Sequence, residues 1–306
     1  MHNLVIIFFE KALSAPLFFQ TPIIKKNYHR FASIGEEYNF RVSCSIPKYI
    51  RGSTVRKGMT LAKKAAVISD YTPTHIFDKL KYGKDRQKIL ARLAAHFPVI
   101  NDPRMSLICD NKLLTAQTFP QYSPQTENVT KKNFHATLKR IRGNKVVFKP
   151  WYGCGSSGVV IKDKKHACPS DIGDRYIAQQ YISTKDGIKG IPQQNTLRCI
   201  IINGNCFFLT LETARTGELV SGNVKTVHIT PADLPMKKIQ SMLDDIDSVF
   251  KQFTPRIYSV DLFVTKKEGI YLAEINSKPG LYPLKDESQD DYDRIMRAFF
   301  HELEAS

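Results

Sequence analysis

Apolar and polar positions alternate along the chain in blocks of two kinds. The first kind is short and unbroken. Leu4-Val5-Ile6-Ile7-Phe8-Phe9 runs without interruption until Glu10 and Lys11 close it. Such a run predicts a strand buried on both faces. It is too short to cross a bilayer, and it lacks the basic start of a secretory signal. Similar runs predict strands at Phe40–Ile46, His75–Phe77 and Val99-Ile100. Between them the apolar positions take helical spacing, over about 27–38 and 84–96. Strands alternating with helices predict a small open α/β domain with a parallel sheet over residues 1–100. No glycine-rich phosphate loop follows its first strand, so it does not read as a dinucleotide domain.

From residue 103 the pattern changes. Pro103 suits a first helical turn, and Met105, Leu107, Ile108, Leu113 and Leu114 carry the apolar face of a helix over 103–118. Phe119–Thr126 holds two prolines and reads as a connector. A helix over 130–141 ends at Gly143, a residue suited to a helix C-terminus. Strands follow at 145–149, 158–162, 175–182, 197–203 and 206–213, then an amphipathic helix at 232–252. Strands at 257–265 and 269–276 and a helix at 288–303 complete an α+β unit. There is no internal repeat and no low-complexity segment.

Composition adds one unusual feature. The apolar share of 42% and the charged share of 24% are those of an ordinary globular protein, but the formal net charge is +16. That balance favours an anionic partner such as a nucleotide, an acidic peptide, nucleic acid or an anionic membrane. The basic residues are spread along the chain, which also fits a solvated lysine-rich surface. No RNA-recognition signature and no interleaved basic and aromatic stretch is present, which argues against nucleic acid. The six cysteines, at 44, 109, 154, 168, 199 and 206, form no CxxC pair and have no histidine at zinc-finger spacing. They read as reduced, mostly buried thiols of a cytoplasmic protein.

Two segments carry candidate chemistry. In Val146-Val147-Phe148-Lys149-Pro150-Trp151-Tyr152-Gly153-Cys154-Gly155-Ser156-Ser157-Gly158-Val159 an apolar strand ends on a lysine, then a Gly/Ser loop leads into a second strand. A Walker loop joins a strand to a helix and carries GK[ST], so this is a different device. A Gly/Ser hairpin can still lay backbone N–H groups on phosphate oxygens, with Lys149 as a point charge. The plain alternative is a flexible turn. The second segment pairs Tyr258-Ser259-Val260-Asp261-Leu262-Phe263-Val264 with Ile270-Tyr271-Leu272-Ala273-Glu274-Ile275-Asn276, followed by Ser277-Lys278-Pro279-Gly280. Glu274 and Asn276 lie at i, i+2 and share a strand face, which Asp261 meets in an antiparallel pair. Carboxylates in apolar strands need partners, and three oxygen donors beside a basic phosphate site suit Mg²⁺.

Together these segments resemble the ATP-grasp superfamily. The resemblance is strongest to its carboxylate–amine ligases: the ribosomal-protein glutamate ligases, D-alanine–D-alanine ligase and glutathione synthetase. It rests on the glycine loop followed by D…ExN and SKPG, with thirteen positions from Asp261 to Glu274. It covers about 100–285 well and 1–100 only in general architecture. It implies an ATP-grasp fold preceded by a small open α/β (pre-ATP-grasp) domain, divided as 1–100, a central subdomain 101–185 with the glycine loop, and a C-terminal subdomain 186–306 with the metal ligands. Asp110-Asn111-Lys112-Leu113-Leu114-Thr115 resembles a segment whose lysine contacts nucleotide phosphate, with Asn111 inserted ahead of Lys112.

By this resemblance Lys112 and Lys149 steady phosphates under a lid of Gly153, Gly155, Ser156, Ser157 and Gly158. The hinge Gln180-Tyr181-Ile182 meets adenine through its backbone. Arg198 meets the phosphates and the reacting carboxylate. Asp261, Glu274 and Asn276 hold Mg²⁺, or Mn²⁺. Two positions depart from the pattern. The acid that relatives place on the ribose is Thr196 here, and Leu219-Val220-Ser221-Gly222-Asn223 lacks the arginine of the glutamate ligases. Arg215 upstream partly replaces it, and Arg215 and Asn223 are the candidate substrate residues. The implied reaction joins a small-molecule or peptide carboxylate, an acidic one on the charge argument, to an amine through an acyl phosphate. Many relatives are homo-oligomers, and no membrane is involved. A kinase on the same scaffold and a non-catalytic nucleotide- or RNA-binding module are the alternative readings.

Overall fold

The computed structural model describes residues 1–8, 22–62, 65–80, 85–153, 155–214, 225–227, 231–267, 269–280 and 288–305. The chain forms two compact units. The first comprises Met1–Met105, Gln252–Ile257 and Lys278–Ser306, and the second Ser106–Lys251 and Tyr258–Ser277.

The first unit is built from β1 (His2–Ile7), α1 (Pro22–Glu37), β2 (Phe40–Ser45), β3 (Ile50–Arg51), β4 (Thr54–Val55), β5 (Gly58–Thr60), β6 (Val67–Ile68), β7 (His75–Asp78), α2 (Arg86–Ala94) and β8 (Val99–Ile100). Its main sheet has the order β6-β5-β2-β1-β7-β8. β2, β1, β7 and β8 run parallel, as the strand–helix alternation predicts. β5 and β6 are antiparallel additions, so the sheet is mixed rather than parallel throughout. After β2 the chain reverses through the β3–β4 hairpin, and an antiparallel return needs no crossover helix.

Both sheet faces are covered, which explains the unbroken apolar run of β1. On one face Val5 and Ile7 join Ile50, Val55, Leu90, Leu93 and Phe97 in a core cluster. Elsewhere in this unit, aromatic rings from α1 and the C-terminal helix Gln289–Glu304 pack together. The Phe31 and Phe300 rings are 4.7 Å apart, and those of Phe77 and Phe299 5.2 Å. The helix Gln289–Glu304, which lies within the 186–306 stretch of the sequence reading, groups with the first unit. The C-terminal helix starts cleanly: Ser288 caps it by accepting from Asp291 N, and Asp290 and Asp291 suit the positive end of its dipole.

The second unit begins within α3 (Pro103–Asp110) and continues through α4 (Lys112–Thr118), β9 (Thr126–Val129), α5 (Phe134–Arg140), β10 (Lys145–Pro150), β11 (Val160–Asp163), β12 (Tyr176–Gln180), β13 (Asn195–Ile202), β14 (Asn205–Thr213), β15 (Lys225–Val227), α6 (Met236–Phe250), β16 (Ile257–Val264) and β17 (Ile270–Asn276). It holds a four-stranded sheet, β11-β10-β12-β9, and a five-stranded sheet, β15-β14-β13-β16-β17. Phe134 of α5 stacks on Phe148 of the first sheet at 5.5 Å. In α6, Ile239, Met242, Leu243, Ile246 and Phe250 are buried at helical spacing, and Phe250 meets Tyr258 of β16 edge-on at 5.4 Å.

Two sequence expectations change here. The single helix over 103–118 is two helices, because Asn111 takes an extended backbone and its side chain caps the second by accepting from Leu113 N and Leu114 N. Thr126–Val129, at the end of the expected connector, forms an edge strand against β12. The described cysteines are thiols outside any disulfide: Cys44, Cys109 and Cys199 buried, Cys168 and Cys206 partly so. Among the described residues no helix is long and apolar enough to cross a membrane.

At the carboxyl end of β7, buried Asp78 pairs with Arg86 at 2.5 Å and accepts from Leu80 N at 2.8 Å. The next residue, Lys79, donates to Pro279 O at 2.8 Å. Burial, helped by the Lys278 ammonium and opposed by Asp78, pushes the Lys79 ammonium down to about 7. The unfolded lysine titrates near 10.5, so the fold bears the cost of a partly buried charge below pH 7 and loses that cost as the pH rises towards 10.5. Lys79→Met should therefore raise stability by about 1–2 kcal/mol near pH 6.5. The gain should shrink to nothing by about pH 10. Paired denaturant titrations across that range test the sign.

Candidate active site

β10 ends on Lys149-Pro150, and the chain then turns into β11. The turn takes its shape from left-handed backbone at Gly153 (φ 141°), Gly155 (φ 61°), Ser156 (φ 58°) and Gly158 (φ 73°). A Cβ on Gly158 would also stand 2.9 Å from Tyr176 Oη. Gly155, Ser156, Ser157 and Gly158 are exposed, but the base of the loop is tied down. Trp151 N donates to Arg175 O at 2.8 Å, and Trp151 O accepts from Lys112 N at 2.9 Å.

Lys112 reaches the same place with its side chain. The inserted Asn111 serves as the N-cap of α4 and so makes Lys112 the first helical residue. Lys112 Nζ donates to Gly153 O at 2.8 Å and stands 3.4 Å from Glu274 Oε1. Buried Asp110 holds the segment from behind, accepting from Ser277 Oγ at 2.7 Å. The DNK segment and the strand end carrying Glu274 and Asn276 are thereby joined.

Lys149 Nζ donates to Gln179 Oε1 at 2.8 Å. Burial and the nearby Lys112 push its ammonium down to about 8, against the pull of Glu274 and Asp261. Lys112, Thr115, Lys149, Gln179, Leu272 and Glu274 line an open cleft. α4 and both sheets of the unit contribute to its walls.

Beside the cleft, Asp261 and Glu274 are direct cross-strand partners in the β16–β17 ladder, and Asn276 pairs with Ser259. Burial raises the Glu274 carboxyl; Lys112 lowers it and the neighbouring Asp261 carboxylate raises it. Arg198 of β13 grips Asp261 with both prongs, Nε to Oδ1 at 2.8 Å and Nη2 to Oδ2 at 2.9 Å. Its Nη1 lies 2.6 Å from Glu212 Oε1. Burial lowers the Arg198 pKa, but Asp261 and Glu212 outweigh it and hold the guanidinium above its ordinary range. Among the described residues no group of three or more His, Cys, Asp or Glu is disposed to hold a metal. The donor set is two carboxylates and a carboxamide. Two like-charged carboxylates held face to face fit a hard divalent cation that completes its shell with phosphate oxygens and water.

A family model described as an ATP-grasp domain matches residues 109–280, more than half of the chain. The chain belongs to the ATP-grasp family. Its architecture is the ATP-grasp fold, α/β in the first unit and two antiparallel sheets with helices in the second. D-alanine–D-alanine ligase from Bacillus anthracis, solved with ATP, is similar at 17% identity and a TM-score of 0.62, over 100% of this chain and 97% of that one. A RiPP-associated ATP-grasp ligase from Chryseobacterium gregarium, solved with ADP and a leader and core peptide, gives 12% and 0.62 over 100% and 98%. The RimK domain ATP-grasp protein of Sphaerobacter thermophilus gives 13% and 0.60 over 97% and 99%. At these identities the likeness is one of fold. No curated protein matches the chain.

On this ATP-grasp frame most of the sequence-read residues come together. Lys112, Lys149, Gly153 and Glu274 surround the cleft or its rim, and Asp261, Arg198 and Asn276 adjoin them. Gln180 is the last ladder residue of β12, its N–H donating to Gln125 O at 2.8 Å, and Tyr181 and Ile182 follow it. Arg215, Asn223 and Cys154 lie outside the described residues. Three further groups at the site carry only a faint trace in the sequence. Gln179 of β12 lines the cleft with its side chain, a matter of strand parity. Asp110 was read only as part of the lysine motif. Glu212, a lone acid in a strand like Asp261, carried the same signal and was missed. It is also the cross-strand partner of Thr196, where the ribose acid of relatives is absent.

The glycine loop gives a paired test. Gly143→Ala meets only a left-handed backbone, with nothing within 4 Å of the new Cβ, whereas Gly158→Ala meets that and Tyr176. Thermal unfolding should show a loss of about 1 kcal/mol for Gly143→Ala and at least about 2 for Gly158→Ala. Equal losses would mean that the contact with Tyr176 does not shape the loop.

Proposed function

We propose that the chain is an ATP-dependent ligase that joins a carboxylate to an amine through an acyl phosphate, releasing ADP and phosphate. The observation that carries this reading is the convergence of Lys112, Lys149 and Glu274 on one cleft, with Asp261 and Arg198 beside it. Two further facts support it: the family match, and fold neighbours that are named ligases, two of them solved with adenine nucleotides. The net charge of +16 favours an acidic amino acid or peptide as the carboxylate substrate.

Lys112 and Lys149 hold the phosphates of ATP by charge, which is most of what phosphoryl transfer demands of a protein. Gly153, Gly155, Ser156, Ser157 and Gly158 lie over them and exclude water, protecting the acyl phosphate from hydrolysis. The backbone at Gln180, Tyr181 and Ile182 receives the adenine. Asp261, Glu274 and Asn276 would hold Mg²⁺ or Mn²⁺, which would neutralise phosphate charge. A substrate carboxylate oxygen attacks the γ-phosphorus, the bond to the β-phosphate oxygen breaks, and ADP leaves. The amine nitrogen then attacks the acyl carbon, inorganic phosphate departs, and the nitrogen gives up its proton to phosphate or water. Arg198 steadies charge on the transferred phosphoryl group and on the tetrahedral oxyanion. Arg215 and Asn223 are assigned to substrate.

Incubation with ATP, Mg²⁺, a panel of amino acids and acidic peptides, and hydroxylamine should release ADP and yield a hydroxamate. Asp261→Asn and Glu274→Gln should each lower turnover by at least about 100-fold while leaving the unfolding transition cooperative. Release of AMP would overturn the reading. So would a stable phosphate ester in place of an amide, the product of a kinase, or unchanged turnover in both variants.

A further inference from the structure

Four charged side chains stand on four successive strands of the five-stranded sheet: Glu212 on β14, Arg198 on β13, Asp261 on β16 and Glu274 on β17. Arg198 is shared. Its Nε/Nη2 edge is bidentate on Asp261, and its Nη1 is on Glu212 at 2.6 Å. All three side chains are largely withdrawn from solvent, with Glu212 14% exposed, Arg198 30% and Asp261 10%. At that burial a charge that loses its partner is costly.

Two cations therefore compete for one carboxylate. A metal ion at Asp261 and Glu274 would draw on a carboxylate both of whose oxygens already accept from the guanidinium, which weakens that hold. An arginine anchored to Asp261 alone would resist that exchange, or would leave the site once displaced. Glu212 offers a second anchor on the opposite side. We infer that Glu212 is a positioning residue: it retains Arg198 by Nη1 while Asp261 passes to the metal, and so lowers the cost of metal entry and leaves the Nε/Nη2 edge facing substrate. The inference rests on the metal-dependent ligase reading and adds a residue to it. Thr196, the cross-strand partner of Glu212, provides no second acid, so the anchoring falls to Glu212.

The test is the free Mn²⁺ concentration that half-saturates the full chain in the presence of ADP, read from the electron spin resonance of free Mn²⁺. Glu212→Gln keeps the shape of the side chain and removes its charge. It should raise the half-saturating concentration by about 5- to 10-fold, a typical coupling between groups sharing a partner. Glu212→Asp should recover part of the loss. In an Arg198→Met background, Glu212→Gln should change the value by less than about 2-fold, because the shared group is gone. A structural role, or a simple field effect of the carboxylate, would shift the value equally in both backgrounds and would overturn the inference. Coincident Mn²⁺ curves for Glu212→Gln and the unaltered chain would overturn it alone. Failure of the unaltered chain to bind ADP and Mn²⁺ at all would remove the ligase reading and this inference together.

Discussion

Asp261 and Glu274 face each other across the β16–β17 ladder, in apolar strands, with little access to water. Like charges in that position raise each other's free energy. The arrangement is stable only because basic groups are brought to it: Arg198 along the sheet, Lys112 from the start of α4, and Lys149 from the facing sheet. Much of the local architecture of the second unit can be understood as the means of delivering those three cations. Each comes from a different element, and each has a separate hold on the backbone or on a polar side chain that fixes its direction.

The delivery of Lys112 depends on small features. An inserted asparagine breaks one helix into two and caps the second. The aspartate before it is bonded to Ser277, just past the strand that carries Glu274. Replacing that local set with a continuous helix would move the lysine around the helix axis and away from the carboxylates. Lys149 is held differently, by Gln179 from the neighbouring strand of its own sheet, so the two lysines approach one cleft from two independent supports.

Much of this was readable in the sequence, and the reasons are specific. Asp261 and Glu274 stood out because isolated acids in apolar strands need a partner, and antiparallel pairing placed them opposite each other. Lys149 stood out because it ends an apolar strand before a glycine loop. What escaped was information that only register or distance supplies. Gln179 and Gln180 differ by one residue, and parity decides which one faces the cleft. The break at Asn111 was hidden because apolar spacing continues smoothly across it. The strand Thr126–Val129 is a short, polar edge strand without an apolar signature. The allegiance of the C-terminal helix was invisible because its partners, Phe31 and Phe77, lie more than two hundred residues earlier.

That last contact has a consequence for how the molecule is made. The first unit is discontinuous: its sheet is encoded near the amino terminus, while Phe299 and Phe300, which fill part of its core, are encoded on the final helix. The second unit is encoded between them. During synthesis the sheet made first waits for the helix made last before Phe299 and Phe300 can pack in that unit. The core of the first unit is therefore complete only when both ends of the chain have been made.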